Sequence, residues 1–280
     1  MENVLLGFIL TLFAGLATTV GGFITIFMKK TNKKSLSFFL GLSAGVMIYI
    51  SFMEILPEAL NLFSERKEPI YQLYGILFFF LGALIMGIID KLVPEKENPH
   101  HIRTLEEDCK GNGKGLGKRR RRQNNHECDR RLSKIGFMTA IAIAIHNFPE
   151  GIVTFFSTVQ SPHLGIILAI SIAIHNIPEG ISISVPIYHA TNDKMKSIRA
   201  AFFSGLTEPL GALLGYIILS SFFNDTIMGI ILAIVAGIMV YISLDELLPT
   251  AREYGEPHIA LYGLFSGMFI MAVSLVLFQI

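Results

Sequence analysis

Two copies of one hexapeptide hold the side chains best suited to chemistry: His146-Asn147-Phe148-Pro149-Glu150-Gly151 and His175-Asn176-Ile177-Pro178-Glu179-Gly180. Residues 142–152 and 171–181 agree at nine of eleven positions. Each copy offers an imidazole, a primary amide and a carboxylate. The His and the Glu stand at i and i+4, so on a helix they share one face. Two such faces brought together present two imidazole and two carboxylate donors, a set that suits a borderline divalent cation such as zinc. Glu208, within Gly205-Leu206-Thr207-Glu208-Pro209, adds a third carboxylate. All five groups lie in apolar sequence. Ionisable side chains are expensive in hydrocarbon, and their presence there marks a functional site. The alternative, polar pairs that tie helices together, suits a lone His better than two His and three Glu at one depth.

The elements that position these groups are membrane spans. Hydrophobic residues make up 52% of the 280-residue chain and charged residues only 16%. Eight stretches approach or exceed the roughly 20 apolar residues a spanning helix needs: 3–28, 36–60, 70–93, 135–158, 164–186, 198–221, 226–249 and 258–279. They are numbered spans 1 to 8. The first is too long, and too poor in leading basic residues, for a cleavable signal peptide. With the N-terminus placed outside, 21 of the 23 Lys and Arg fall on the inner side and only Arg66 and Lys67 on the outer. The positive-inside rule therefore places both termini outside a cell membrane. The expected fold is an all-α integral membrane protein of one transmembrane domain, residues 1–280.

A second repeat sets the topology. Residues 42–59 in span 2 match 234–251 in span 7 at ten of eighteen positions. Five crossings separate them, so the two run in opposite directions. This predicts an inverted repeat, spans 1–3 against 6–8 with spans 4 and 5 between, a 3+2+3 arrangement of the kind transporters use around a midplane site. Glu54 and Glu246 align across the repeat, with Asp245 beside the latter. The three carboxylates form a candidate relay, Glu54 at the entrance and Asp245 with Glu246 at the exit. Pro149 and Pro178 each remove an N–H and crowd the carbonyl four residues back, so both helices are expected to kink. Thr18 and Thr19 are intramembrane and polar, but Thr in a helix ordinarily bonds its own backbone, so neither is taken as a site residue. The 95–133 connection is polar, Gly-rich and basic and reads as a disordered cytoplasmic loop. Its Lys118 to Arg122 run can touch anionic lipid. Its Cys109 and Cys128 lie on the reducing side, against a structural disulfide. No feature calls for nucleic acid, and association as a homodimer is left open.

The paired HNxPEG helices, the GLTEPLG helix and the eight spans resemble the ZIP (Zrt/Irt-like) family of metal transporters, closest to its bacterial ZupT type. The resemblance covers nearly the whole chain except the 95–133 loop, which has scattered His where many members carry a His-rich tract. It implies import of divalent transition metals, zinc first and iron, manganese, cobalt or cadmium besides, as transported substrate and not as cofactor. It also implies a one- or two-metal site on spans 4, 5 and 6, with His146, Asn147, Glu150, His175, Asn176, Glu179 and Glu208 as ligands. A metal exporter shares this chemistry. An intramembrane metal-dependent hydrolase is the remaining alternative, although the HExxH zincin pattern is absent.

Overall fold

The computed structural model describes residues 2–27, 33–64, 69–92, 137, 140, 141, 143–220, 224–254 and 257–279. The 95–133 connection, with its cysteines and basic run, lies outside the described residues. Every element among the described residues is helical. Span 1 is Glu2–Phe27, span 3 is Pro69–Leu92, span 5 is Pro162–Thr191 and span 8 is Pro257–Gln279. Residues 143–160 of span 4 are helical as well. Helices dominate because the apolar runs leave no water to satisfy backbone groups, which must then bond within their own segment. Among the described residues, seven helices are long and apolar enough to cross a membrane. The chain is a multi-pass membrane protein.

Short polar connections punctuate the bundle. Ser161 accepts from the backbone of Leu164 and Pro162 follows it at the first helical position, which starts span 5. Asn192, in the left-handed region at φ 53°, ends that span. Asp193 accepts from the N–H groups of Met195 and Lys196 to begin span 6, and Asn224 caps span 7. Asn3 donates to the carbonyl of Val159, and Gln160 donates to Asp225. The N-terminus and the connections 4–5 and 6–7 therefore share one end of the bundle. Ser37 donates to the carbonyl of Ala251 at the other end, tying span 2 to span 7.

Three spans are irregular, each just ahead of a proline. Span 2 is Lys33–Ile50, a π turn at Ser51–Ile55 and Leu56–Ser64. Span 7 is Asp225–Ile242, a π turn at Ser243–Leu247 and Leu248–Tyr254. In these turns Leu56 N–H reaches Ser51 O and Leu248 N–H reaches Ser243 O, five residues back. Widening the helix relieves the crowding that Pro57 and Pro249 impose on carbonyls in the preceding turn. The two π turns stand 192 residues apart, the offset that relates 42–59 to 234–251. Span 6 breaks at Leu206, the second residue of the GLTEPLG motif, between Lys194–Gly205 and Thr207–Leu219. Pro149 and Pro178, by contrast, sit in helices that run unbroken through them.

Backbone-on-backbone contacts at glycine fix the packing. Span 1 packs on spans 5 and 6, span 2 on 8, 5 and 7, and span 3 on 7. A Cβ on Gly151 would strike the carbonyl oxygen of Glu208, and one on Gly180 would strike that of Thr18. Gly21 abuts the Ile177 carbonyl, and Gly211 abuts that of Phe148. Gly15 and Gly205 abut each other's carbonyls reciprocally. These contacts come in matched pairs: span 1 meets span 5 as span 6 meets span 4, with Thr18 corresponding to Glu208 and Gly21 to Gly211. Farther out, Gly45 abuts the Leu264 carbonyl (span 2 on 8) as Gly237 abuts that of Phe79 (span 7 on 3). Small residues let helices approach this closely where no hydrophobic force drives them together. Of these seven helices, spans 5 and 7 are the most enclosed and spans 3 and 8 the least. The latter pair therefore presents most of its surface to lipid.

Because Gly45 and Gly237 meet backbone, which cannot yield, Gly45→Val and Gly237→Val are each expected to lose about 2 kcal/mol or more of stability. Gly215, whose nearest neighbours are the flexible Ile152 and Phe156 side chains, should accept Ala with little loss. Thermal midpoints in detergent test this. Equal midpoints for all three variants would contradict the packing.

Candidate metal centre

The two hexapeptide helices place their polar faces toward each other. His146 Nε2 lies 3.2 Å from Glu179 Oε1, and His175 Nε2 lies 3.5 Å from Glu150 Oε1. The first is a hydrogen bond; the second is slightly long for one. Each imidazole therefore faces the carboxylate of the opposite helix, not the one four residues on in its own. The two contacts exchange under the correspondence that relates the hexapeptides, His146 with His175 and Glu179 with Glu150. Gly151 and Gly180 permit this, because bulk at either position would push spans 6 and 1 away from the carboxylate beside it.

Span 6 completes the cluster. Its break at Leu206 puts Glu208 in the first turn of Thr207–Leu219, where a carboxylate is favourable against the helix dipole. Asn176 Nδ2 donates to Glu208 Oε1 and, at 2.9 Å, to the carbonyl oxygen of Ala14 in span 1. Ser43 of span 2 donates to the carbonyl of His175 at 3.3 Å. Spans 1, 2 and 6 thus all grip the second hexapeptide. His146, Asn147, Glu150, His175, Asn176, Glu179 and Glu208 are all at least 98% buried.

Polar satisfaction fails here in a concentrated way. Among the described residues, both amide atoms of Asn147, the Oδ1 of Asn176, the Nδ1 of both histidines and at least one oxygen of each of the three carboxylates make no hydrogen bond. Buried polar atoms elsewhere in proteins are nearly always paired. The orphans are mostly acceptors (carboxylate and amide oxygens with imidazole nitrogens), the donor types of a borderline cation. Among the described residues no three His, Cys, Asp or Glu side chains stand ready at metal-holding distances. What the fold brings together is the pair of cross-helix contacts and Glu208 tied to Asn176.

The candidate relay residues lie on either side. Glu54, in the π turn of span 2, is half-buried and within electrostatic reach of Glu58 and His163. Glu246, in the π turn of span 7, is within electrostatic reach of His146, Glu179, Asp90 and Asp245. Tyr241 donates to Asp245, and its ring lies against Gly87, one turn before Asp90. Sequence reasoning missed Asp90 and His163. Asp90 reads as the charged end of span 3, and His163 as a connection residue. Only the packing of span 3 on span 7, and of span 5 on span 2, draws them toward the relay carboxylates.

A multi-pass helical protein with paired imidazoles and carboxylates buried between its helices belongs to the class of ion-handling membrane proteins. The family described as ZIP Zinc transporter matches residues 3–90 and 91–275. The chain is 52% identical to the "Zinc transporter ZupT" of Clostridium perfringens over 286 residues, covering 99% of this chain and 98% of that protein. It is equally similar, at 52%, to proteins of the same name from Nitratidesulfovibrio vulgaris and Oceanobacillus iheyensis, with 98% or more of each chain covered. This chain belongs to the ZIP family of zinc transporters.

The two asparagines are matched in sequence but not in bonding, and that predicts unequal stability effects. Asn176→Ala removes a bond to a buried carboxylate and one to a carbonyl, and is expected to cost about 1.5–3 kcal/mol. Asn147→Ala removes no hydrogen bond among the described residues and should lower the thermal midpoint markedly less. Equal losses in the two variants would contradict the bonding asymmetry.

Proposed function

We propose that this chain imports divalent transition metals, zinc foremost, across the cell membrane through a midplane site on spans 4, 5 and 6. The observation that carries the reading is the crossed pair of contacts, His146 to Glu179 and His175 to Glu150, set among unpaired ligand-type atoms in a family of zinc transporters. A dication entering between the two helices would draw both imidazoles and both carboxylates onto itself. Asn147 Oδ1, Asn176 Oδ1 and Glu208 would complete its coordination. Zinc accepts such a mixed nitrogen and oxygen set. Ligation needs neutral imidazole and ionised carboxylate, and the cation supplies the charge that makes their burial tolerable. The hydrolase alternative falls with the family, whose members are transporters.

The architecture behind this is a 3+2+3 inverted repeat. Its support is the 192-residue offset shared by the sequence match and the two π turns, and the matched glycine contacts of spans 1 on 5 with 6 on 4 and of 2 on 8 with 7 on 3. Both termini face outward by the distribution of Lys and Arg. Glu54 then lies toward the outside and Glu246, with Asp245 and Asp90, toward the cytoplasm. The carboxylates form a relay: Glu54 receives metal, the central site holds it, and Glu246 draws it inward through its reach to the His146–Glu179 pair. The π turns supply the local slack that bends each helix end as access alternates.

Two experiments test these roles. Glu150→Ala and Glu179→Ala should nearly abolish zinc uptake into proteoliposomes while the protein stays folded; normal uptake by both would remove the central site. For the relay, Glu54→Cys should react with an impermeant thiol reagent from the face that carries the termini, and Glu246→Cys only from the opposite face. Zinc should protect both. Labelling of both positions from one face, or no protection at either, would overturn the relay.

A further inference from the structure

Threonines inside a helix usually donate to a carbonyl one turn back, and on span 1 two of them do. Thr11 donates to the carbonyl of Gly7 at 3.0 Å, and Thr25 to that of Gly21 at 3.1 Å. Thr18, fully buried, does not: its hydroxyl makes no hydrogen bond among the described residues. The reason is visible one turn back. The carbonyl of Ala14, which Thr18 would use, accepts the amide of Asn176 instead. The expectation that Thr18 and Thr19 are occupied by their own backbone is therefore wrong for Thr18, and the Thr19 hydroxyl is likewise unpaired among the described residues, although Thr11 and Thr25 on the same helix follow the rule.

The place of Thr18 in the bundle gives that hydroxyl meaning. Its carbonyl abuts Gly180 as the carbonyl of Glu208 abuts Gly151, and Gly15 and Gly205 abut each other. Thr18 is thus the counterpart of Glu208 on the opposite side of the cluster. The partner of Glu208 is Asn176. The corresponding partner of Thr18 is Asn147, whose two amide atoms are both buried and unpaired. Glu208 reaches its asparagine. The threonine side chain is two atoms shorter, and neither it nor Asn147 makes a bond.

We propose that Thr18 is a specificity-determining residue of the transport path, and that with Asn147 it forms a neutral pole opposite the Glu208–Asn176 pole. Its hydroxyl holds water in the coordination shell of the passing dication. A hydroxyl and a primary amide supply the two to four polar partners that a buried water requires, and they add no charge. The cation is therefore bound by carboxylate on one side and kept partly hydrated on the other, which lets it leave. The inference rests on the central metal site proposed above.

The test compares Thr18→Val, Thr18→Ser and Thr18→Glu in zinc uptake by proteoliposomes and in equilibrium zinc binding, with Thr11→Val as a control on the same helix. Thr18→Val keeps the volume and removes the hydroxyl; the half-saturating zinc concentration should rise about fivefold, the worth of one hydrogen bond. Thr18→Ser should stay within about twofold of the wild type. Thr18→Glu should bind zinc more tightly at equilibrium yet transport it more slowly, because the neutral pole has become a second trap. Wild-type half-saturation in Thr18→Val would overturn the proposal. So would equal defects in Thr18→Val and Thr18→Ser, which would show a packing role, or unchanged zinc affinity in Thr18→Glu. Glu150→Ala and Glu179→Ala, run beside them, separate the two readings. If they lose zinc binding while Thr18→Val behaves as wild type, only the role of Thr18 falls. If they keep it, the metal site falls first.

Discussion

The constraint on which this structure turns is the burial of seven metal-ligand-type side chains, three of them carboxylates, between helices inside a bilayer. Removing a carboxylate from water costs several kcal/mol, and a partner repays this only when geometry is close and the remaining lone pairs are met. Here the geometry is close, because the helices that hold the cluster touch backbone to backbone at Gly151, Gly180, Gly21 and Gly211. The lone pairs, however, are not all met. A cluster serving stability alone would be better replaced by apolar side chains of similar volume. The glycine seams thus hold together a cluster that is costly by itself, as the proposed metal site would require.

Symmetry explains how so few contacts suffice. A contact that exchanges under a two-fold correspondence needs one local solution used twice. The hexapeptides meet as two crossed pairs, and spans 1 and 6 seat on spans 5 and 4 through the same glycine positions. The π turns of spans 2 and 7 repeat the device farther out, each placing a carboxylate, Glu54 or Glu246, on a widened turn. Among the places where the correspondence fails, one lies beside the cluster, where span 6 carries Glu208 and span 1 carries Thr18. On the proposed path such a departure would matter, since a fully symmetric path would offer the cation the same well on both sides.

Much of this was legible in the sequence. The spans follow from apolar length, and the His, Asn and Glu of spans 4 and 5 follow from an obvious repeat. The 42–59 and 234–251 match already carried the register of the two π turns. Other features were hidden for physical reasons. The i, i+4 spacing shows that His146 and Glu150 share a face, but it cannot show that each imidazole takes its partner from the other helix. That depends on how closely the helices approach. Pro149 and Pro178 sit in helices that run on unbroken, while the break falls in span 6 ahead of Pro209. Asp90 and His163 gain significance only from tertiary neighbours. Thr18 was hidden most completely, because its free hydroxyl results from a third residue, Asn176, taking the carbonyl that local rules assign to it.

Energetics then limits how strong the central site can be. A dication crossing toward a negative interior gains about 4.6 kcal/mol per 100 mV, twice the single-charge value. That is enough to drive uptake, but it does not empty a deep well. A site built from two imidazoles and three carboxylates in low dielectric would hold zinc too firmly to release it on a useful timescale unless something weakened the hold. On the reading proposed above, two features of the fold do so. One is the reach of Glu246 to the same His146–Glu179 pair, which offers the cation a competing carboxylate before the first has let go. The other is the neutral face that span 1 presents where span 6 presents charge. Transport through such a path depends on keeping the well shallow as much as on filling it, and the residues that do this lie outside the motif that announces the site.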